Sequence, residues 1–302
     1  MQSFKINCVL MSAIVLWASA FVGIRIALAD YSPGPLALLR FLVASLCMAI
    51  IYHRQEIKKL MPWKDRLQLL IAGMMGIGIY NVCLNYGEIT VSAGIASFVI
   101  GLMPVITVLL SLIFLQERLK KGVWAGIFIS LVGLLLLAMG EGSQTDMRQG
   151  IILILVSALM GSILTIIQKK FLKLYHPIAI ISWVMWGGTL LLLFFSPQLL
   201  QEIKTAGYQS TCAVVYMGIF PAAVAYLAWS YVLKKLPASK AAITLYALPI
   251  VSTLLGFLLL DEQPSLISLV GGGIALTGAL VAHSFQVPET IKEVLDKKVV
   301  AV

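Results

Sequence analysis

Two stretches decide how this chain folds: SAGIASFVIGLMPVITVLLSLIFLQERL at Ser92–Leu119 and PASKAAITLYALPIVSTLLGFLLLDEQPS at Pro237–Ser265. Laid over each other at an offset of 145 residues, they keep register without a gap. Ala93 pairs with Ala238, Ala96 with Ala241, Pro104 with Pro249, Leu109-Leu110 with Leu254-Leu255 and Glu117 with Glu262. The match runs on to Gly126 over Gly271 and Gly133 over Gly278. Earlier, the same offset sets Ser12-Ala13 on Ser157-Ala158, Gly73 on Gly218 and Tyr86 on Tyr231. Leucine on leucine is expected wherever apolar segments are compared. A proline, a glutamate and two glycines holding one register are not, so the chain is an internal repeat.

Each repeat holds five uninterrupted apolar windows. They are Ile6–Leu28, Gly34–Ile51, Leu67–Tyr86, Ser92–Leu115 and Val123–Met139 in the first, then Gly150–Ile167, Ile178–Phe195, Thr211–Leu233, Ala238–Leu260 and Leu266–His283 in the second. Each has 17 to 24 residues, the length at which a helix crosses the hydrocarbon of a bilayer. The composition agrees: 60% of residues are hydrophobic and 12% charged, and the mean hydropathy is +0.99, too little polar surface for a water-facing fold. Five spans is an odd number, so the second repeat enters the membrane from the opposite side, and a pseudo-two-fold axis in the membrane plane relates the two. The expected fold class is an all-α polytopic membrane protein with ten transmembrane helices as two inverted five-helix repeats. The first covers residues 1–145, the second 146–290, and 291–302 form a cytoplasmic tail. The loops are too short for a soluble catalytic domain. The opening MQSFKINCVLMSAIVLWASA ends like a signal peptide, but its apolar run continues to Leu28, so it reads as an uncleaved first span.

The formal charge of +9 does not call for a nucleic acid partner. With Met1 placed in the cytoplasm, 18 of the 22 Lys and Arg fall on inside segments, and the outside loops hold only Arg148 and Lys204 among several acids. This is the positive-inside distribution, and it puts both termini on the cytoplasmic side of the cell (plasma or inner) membrane, beside anionic lipid. Cys8, Cys47, Cys83 and Cys212 lie on four different spans without CxxC spacing, which reads as free thiols rather than disulfides or a metal site. No cofactor is implied.

The two opening stretches, with LWASAFVGIRIAL at Leu16–Leu28 and SPGPLALLRFLVASL at Ser32–Leu46, resemble the EamA-type transporters of the drug/metabolite transporter superfamily. The resemblance covers essentially all ten spans, including Arg40 in the second. It implies a carrier of amino acids, nucleosides, cofactors or other small metabolites, usually moved outward. Departures are Ala18, where a glycine usually follows the tryptophan, and Gln263-Pro264 in place of a basic continuation after Glu262.

Several residues are candidates for the transport path. Asn81, Asn85 and Glu88 recur at i, i+4 and i+7, a polar helix face that is costly toward lipid. The offset carries Asn81 onto Tyr226 and Asn85 onto Ser230, with Trp229 beside them. These five, with Trp17, Tyr80 and Tyr246, are the candidate substrate-binding residues; helix-to-helix bonding and aromatic packing are the competing readings. Pro104 and Pro249 lie near mid-span, where a helix-interior proline frees the carbonyl four residues back, here Ile100 and Leu245. Their matched depth marks them as hinge candidates, against simple packing kinks. Arg25 is expected to snorkel to headgroups. Arg40 lies deeper and is open to an ion pair, an anion contact or snorkelling. Glu117 and Glu262 close the C-terminal ends of their helices, the unfavourable end for a negative charge. That asks for a specific partner such as amides of a neighbouring helix end in a gate; for Glu117 the adjacent Arg118 and Lys120 offer a simpler one. Gly126 and Gly133 share a face, as do Gly271 and Gly278, and suit close helix packing within one chain or across a dimer.

No GxxxxGK[ST], GxSxG or HExxH occurs, which argues against a nucleotide-driven pump and against membrane-embedded hydrolases. A membrane-embedded enzyme is the alternative from another class, and a carrier of nucleosides, cofactors or drugs is the alternative within transport. With no Asp, Glu, His or Lys in the hydrophobic middle, the expected cargo is a neutral or zwitterionic small molecule, amino acids first. A coupling proton would have to use Glu88 or Glu262. Monomer and homodimer both remain open. The charge argument predicts that single cysteines at Gly142 and Ser143 react with a membrane-impermeant reagent in intact cells while ones at Lys59 and Lys121 do not; the reverse labelling pattern would refute the orientation.

Overall fold

A computed structural model describes residues 2–55, 61–115, 121–140, 145–172, 174–235 and 245–285, nearly all of them helical. In chain order the helices are α1 (Gln2–Ala27), α2 (Pro33–Arg54), α3 (Trp63–Gly73), α4 (Tyr80–Gly87), α5 (Ala93–Ile100), α6 (Met103–Leu115) and α7 (Lys121–Gly140). The second half has α8 (Thr145–Leu172), α9 (Pro177–Leu192), α10 (Ser196–Glu202), α11 (Tyr208–Met217), α12 (Ala225–Lys235), α13 (Leu248–Leu260) and α14 (Leu266–Phe285). Six segments are long and apolar enough to cross a bilayer: Cys8–Ala27, Pro33–Arg54, Trp63–Gly87, Asp146–Leu172, Pro177–Glu202 and Tyr208–Trp229. Ala93–Thr107, Lys121–Leu137, Leu245–Leu260 and Leu266–Ala282 are shorter apolar helical segments. Large side chains such as Phe128, Leu135, Ile250 and Leu258 are exposed on the bundle surface, as a lipid-facing belt requires.

The repeat is written into the irregularities of the backbone as well as the sequence. A π-helical turn, Met74–Ile79, joins α3 to α4, and another, Gly218–Val224, joins α11 to α12 at the related place. The fourth apolar window is interrupted at Gly101–Leu102, and α6 restarts at Met103; α13 starts at the related Leu248, after a 3-10 turn at Leu245–Ala247. Pro104 and Pro249 therefore do not sit in helix interiors, as the span lengths suggest. They occupy the first turns of new helices, where a missing N–H leaves no bond broken.

Packing follows the same symmetry. α4 lies on α8 and α12 on α1; α3 lies on α9, and the second π-turn on α2. The two halves interlock and do not sit as separate domains. Two pairs of related helices touch each other directly among the described residues, α2 with α9 and α7 with α14, and α5 packs on α13, the mate of α6.

The last pair answers the question that the glycines pose. A β-carbon on Gly126 would lie 2.2 Å from the backbone nitrogen of Ala282, and one on Gly133 would lie 2.2 Å from that of Ala275. Gly271 and Gly278 face the backbone of Leu137 and Ser130 just as closely. The small-residue faces meet within the chain, and Ser130 Oγ adds a bond to the carbonyl of Ala275 at 2.9 Å. At the end of the bundle nearer the termini, the Tyr175 hydroxyl donates to Asp65, and that carboxylate pushes the tyrosine up from its ordinary range.

Because backbone cannot yield at this seam, Gly126→Ala should destabilise the protein by about 1–3 kcal/mol through overpacking. Gly273, with nothing within 4 Å of its would-be β-carbon, should accept alanine with unchanged or slightly higher stability. Thermal melts of the purified variants, read by fluorescence-detected size exclusion, compare the two.

Candidate functional site

The polar face of α4 turns into the bundle. Asn81, Asn85 and Glu88 are 2%, 0% and 0% exposed, and they face α2, which runs antiparallel to α4. Asn85 Nδ2 donates to the carbonyl of Pro33 at 3.0 Å. About two turns deeper on α2, Arg40 Nη1 donates to Asn81 Oδ1 at 3.3 Å. Asn81 Nδ2 in turn donates to the Ile77 carbonyl at 2.8 Å, so one amide both meets a π-turn carbonyl and holds the guanidinium. Arg40 is buried, and it lies within electrostatic reach of Tyr80, Tyr226 and Glu88.

Trp17 of α1 stands edge-on to Tyr226 at 5.6 Å and tilted against Trp229 at 5.4 Å between ring centroids. Its Nε1 donates to the carbonyl of Pro221 in the second π-turn at 3.1 Å. The aromatic cluster thus joins the first span to the eighth, across the repeat boundary. Ser230 continues α12, and its side chain lies outside the described residues. Tyr246, on the 3-10 turn before α13, is buried, and its hydroxyl has no hydrogen-bond partner among the described residues.

Two serines of α8, which carry no motif, serve the same region. Ser157 Oγ donates to the carbonyl of Tyr80 at 2.8 Å and Ser162 Oγ to that of Met103 at 3.1 Å. Tyr80 follows the π-turn and Met103 begins the restarted helix, so both bonds tie α8 to the places where the regular ladder is interrupted. The only sequence signal for them is a small hydroxyl residue in an apolar helix, which is too common to single out.

At the end of the bundle opposite the termini, an ionic latch closes over this cluster. Arg25 Nε meets Glu262 Oε1 at 3.1 Å, and Arg25 Nη1 donates to the backbone carbonyl of Glu88. Glu262 Oε2 accepts the backbone N–H of Ala93, the first residue of α5, at 2.9 Å, where the helix dipole favours a negative charge. Asp261 makes this possible. It takes a left-handed conformation, φ 54, ending α13 and turning Glu262 toward α5. The reading of Arg25 as a snorkelling residue is therefore corrected: an acid 237 residues away draws it inward. A second polar layer lies at the same end. Glu202 accepts from the Ser32 backbone and hydroxyl, and Asp30 from Gly207 and Ser210. Glu117, the repeat mate of Glu262, lies outside the described residues.

The sequence pattern of the EamA-like transporter family matches residues 4–139 and again residues 148–283. The chain belongs to that family. It is a small-molecule transporter of the drug/metabolite transporter superfamily, built from two EamA-like repeats, and not an enzyme. It is 37% identical over 268 residues to the uncharacterized transporter YdfC of Bacillus subtilis, covering 89% of this chain and 87% of that protein. It is 31% identical over 283 residues to a protein of Streptantibioticus cattleyicolor described as a "probable terminal-alkyne amino-acid exporter", covering 94% of this chain and 95% of the relative. A solved crystal structure superposes with a TM-score of 0.62 at 20% identity, covering 92% of this chain and 97% of that one. At that identity the likeness concerns the fold alone.

Alanine at Asn81, Asn85, Tyr226 or Trp229, introduced singly, is expected to lower transport about ten-fold, equivalent to ~1.4 kcal/mol, with the purified protein still monodisperse. Reconstituted exchange assays measure it, and four variants that transport normally would place the path elsewhere.

Proposed function

We propose that this EamA-family protein exports neutral or zwitterionic small metabolites, amino acids first among them, by alternating access across the cell membrane. The observation that carries the reading is the buried cluster of Arg40, Asn81 and Asn85, which faces aromatic rings across the junction of the repeats and lies under the Arg25–Glu262 latch. Polar groups this deep in a membrane protein are retained where a solute passes. The amides suit a neutral or zwitterionic head group, and the rings of Trp17, Tyr226 and Trp229 suit an apolar part. A strongly cationic cargo finds two arginines at this end. The relative of Streptantibioticus cattleyicolor described as a "probable terminal-alkyne amino-acid exporter", 31% identical, supports both the cargo class and the direction.

In this reading the chain crosses the membrane ten times with both termini in the cytoplasm. Residues 1–145 form one repeat, 146–290 its inverted mate and 291–302 a tail. The latch at Arg25 and Glu262 is the outer gate, and Glu117 serves the inner one by symmetry. Pro104 and Pro249, at the starts of α6 and α13, are the points about which the broken spans flex. A coupling proton, where one is used, enters through Glu88 or Glu262; passive exchange is the simpler alternative. The unit is a monomer or a homodimer.

Purified protein in liposomes loaded with a metabolite mixture, with the released compounds identified by mass spectrometry, tests the reading. Efflux of zwitterionic amino acids over matched polycations is the expected result, and a clear preference for the polycation overturns it.

A further inference from the structure

Four ionisable side chains gather at the latched end, two of each sign: Arg25, Arg40, Glu88 and Glu262, with Glu88 in electrostatic reach of the other three. Arg25 and Glu262 form a direct ion pair, and Glu262 has a helix N-terminus besides. Arg25 also acts on Glu88, more strongly than Arg40 does, but among the described residues Arg40 and Glu88 are the two of the four that form no ion pair. Both are buried, at 6% and 0% exposure. Among the described residues neither oxygen of the Glu88 carboxyl has a hydrogen-bond partner, and neither has Arg40 Nε or Asn85 Oδ1. Asn81 holds Arg40 by Nη1, which orients the guanidinium while leaving Nε unused. A buried charge without bonded partners costs several kcal/mol, so an unfilled set of this kind calls for an occupant of complementary charge.

We infer that Arg40 and Glu88 are the two poles of a receptor for the zwitterionic head group of an α-amino acid. Arg40 takes the carboxylate, and Glu88, aided by Asn85 Oδ1, takes the ammonium. A zwitterion supplies both missing partners at once and adds no net charge to the interior. An amine or a carboxylic acid of the same side chain supplies one and strands the other. The aromatic group of Trp17, Tyr226 and Trp229 is placed to meet the side chain, since Tyr226 lies in electrostatic reach of Arg40. The latch acts on the same site, because Arg25 holds the backbone carbonyl of Glu88; opening the gate releases the residue that grips the ammonium. This assignment rests on the amino-acid reading above and names the residues behind it.

Isothermal titration of the full-length protein in nanodiscs tests it with three matched sets. For the side chains of leucine, phenylalanine and glutamine, each set holds the amino acid, the acid lacking the amino group and the amine lacking the carboxyl group. The wild type should bind at least one amino acid about ten-fold or more tightly than either of its analogues, because each analogue leaves a buried group unpaired. Glu88→Gln should erase the preference over the acid and keep that over the amine, and Arg40→Gln should do the opposite. A role in structure alone would weaken all three ligands of a set together. Wild-type protein that binds an analogue as well as its amino acid overturns the inference without any variant being needed. Folded variants that keep the wild-type preferences overturn the assignment to Arg40 and Glu88 and leave amino-acid transport standing. Failure of every set to bind removes both.

Discussion

In hydrocarbon every backbone N–H and C=O must be satisfied within the protein, and the centre of this molecule is organised by how it meets that demand where its helices stop being regular. The π-turns at Met74–Ile79 and Gly218–Val224 and the restart at Met103 interrupt the regular ladder. Side chains bond to carbonyls at these places: Asn81 to Ile77 one turn back in the same span, and from other spans Ser157 to Tyr80, Ser162 to Met103 and Trp17 to Pro221. Two of these bonds also fix side chains of the candidate site, Asn81 and Trp17. Irregular backbone and polar lining are thus one feature, and it occurs in both repeats.

The rest of the bundle divides between what is fixed and what can separate. Glycine against backbone along α7 and α14 leaves no room for relative movement, so that pair forms a rigid wall on the axis. The latched end is different in kind. Its latch is one partly exposed ion pair, an acid on a helix N-terminus and a carbonyl contact from Arg25, beside the polar contacts of Glu202 and Asp30. Interactions of that sort are modest in strength when water can reach them. Under the proposed alternating access, a junction that opens and closes in each cycle needs this balance, whereas a packed glycine seam could not be broken and remade.

Charge at that end is arranged with little redundancy. Arg25 and Glu262 pair with each other, while Arg40 is held by an asparagine and Glu88 has no hydrogen-bonded partner at its carboxyl among the described residues. A protein interior that tolerates such a remainder bears a standing cost in stability. The cost has a rationale when an arriving solute removes it, because binding is then driven by the repair of groups the fold left incomplete.

How much of this was legible beforehand depends on the range of the interaction involved. The inverted repeat, the apolar spans and the polar face of Asn81, Asn85 and Glu88 follow from spacing along the chain, since helix periodicity and membrane thickness act locally on neighbouring residues. Proline positions were legible too, but their setting was not: Pro104 and Pro249 begin helices instead of bending them, because the chain breaks at Gly101–Leu102 and in the 3-10 turn before Leu248. Ser157 and Ser162 gave no signal, as their role exists only once α8 lies on α4 and α6. By itself the sequence determined the architecture and the family. Only the tertiary structure decided that the glycine faces meet within the chain, that Arg25 turns to Glu262, and that Arg40 and Glu88 are buried without an ion pair among the described residues. Those choices are pairings between residues far apart in the chain, and no local pattern records which of several possible partners the packing of the two halves will bring within reach.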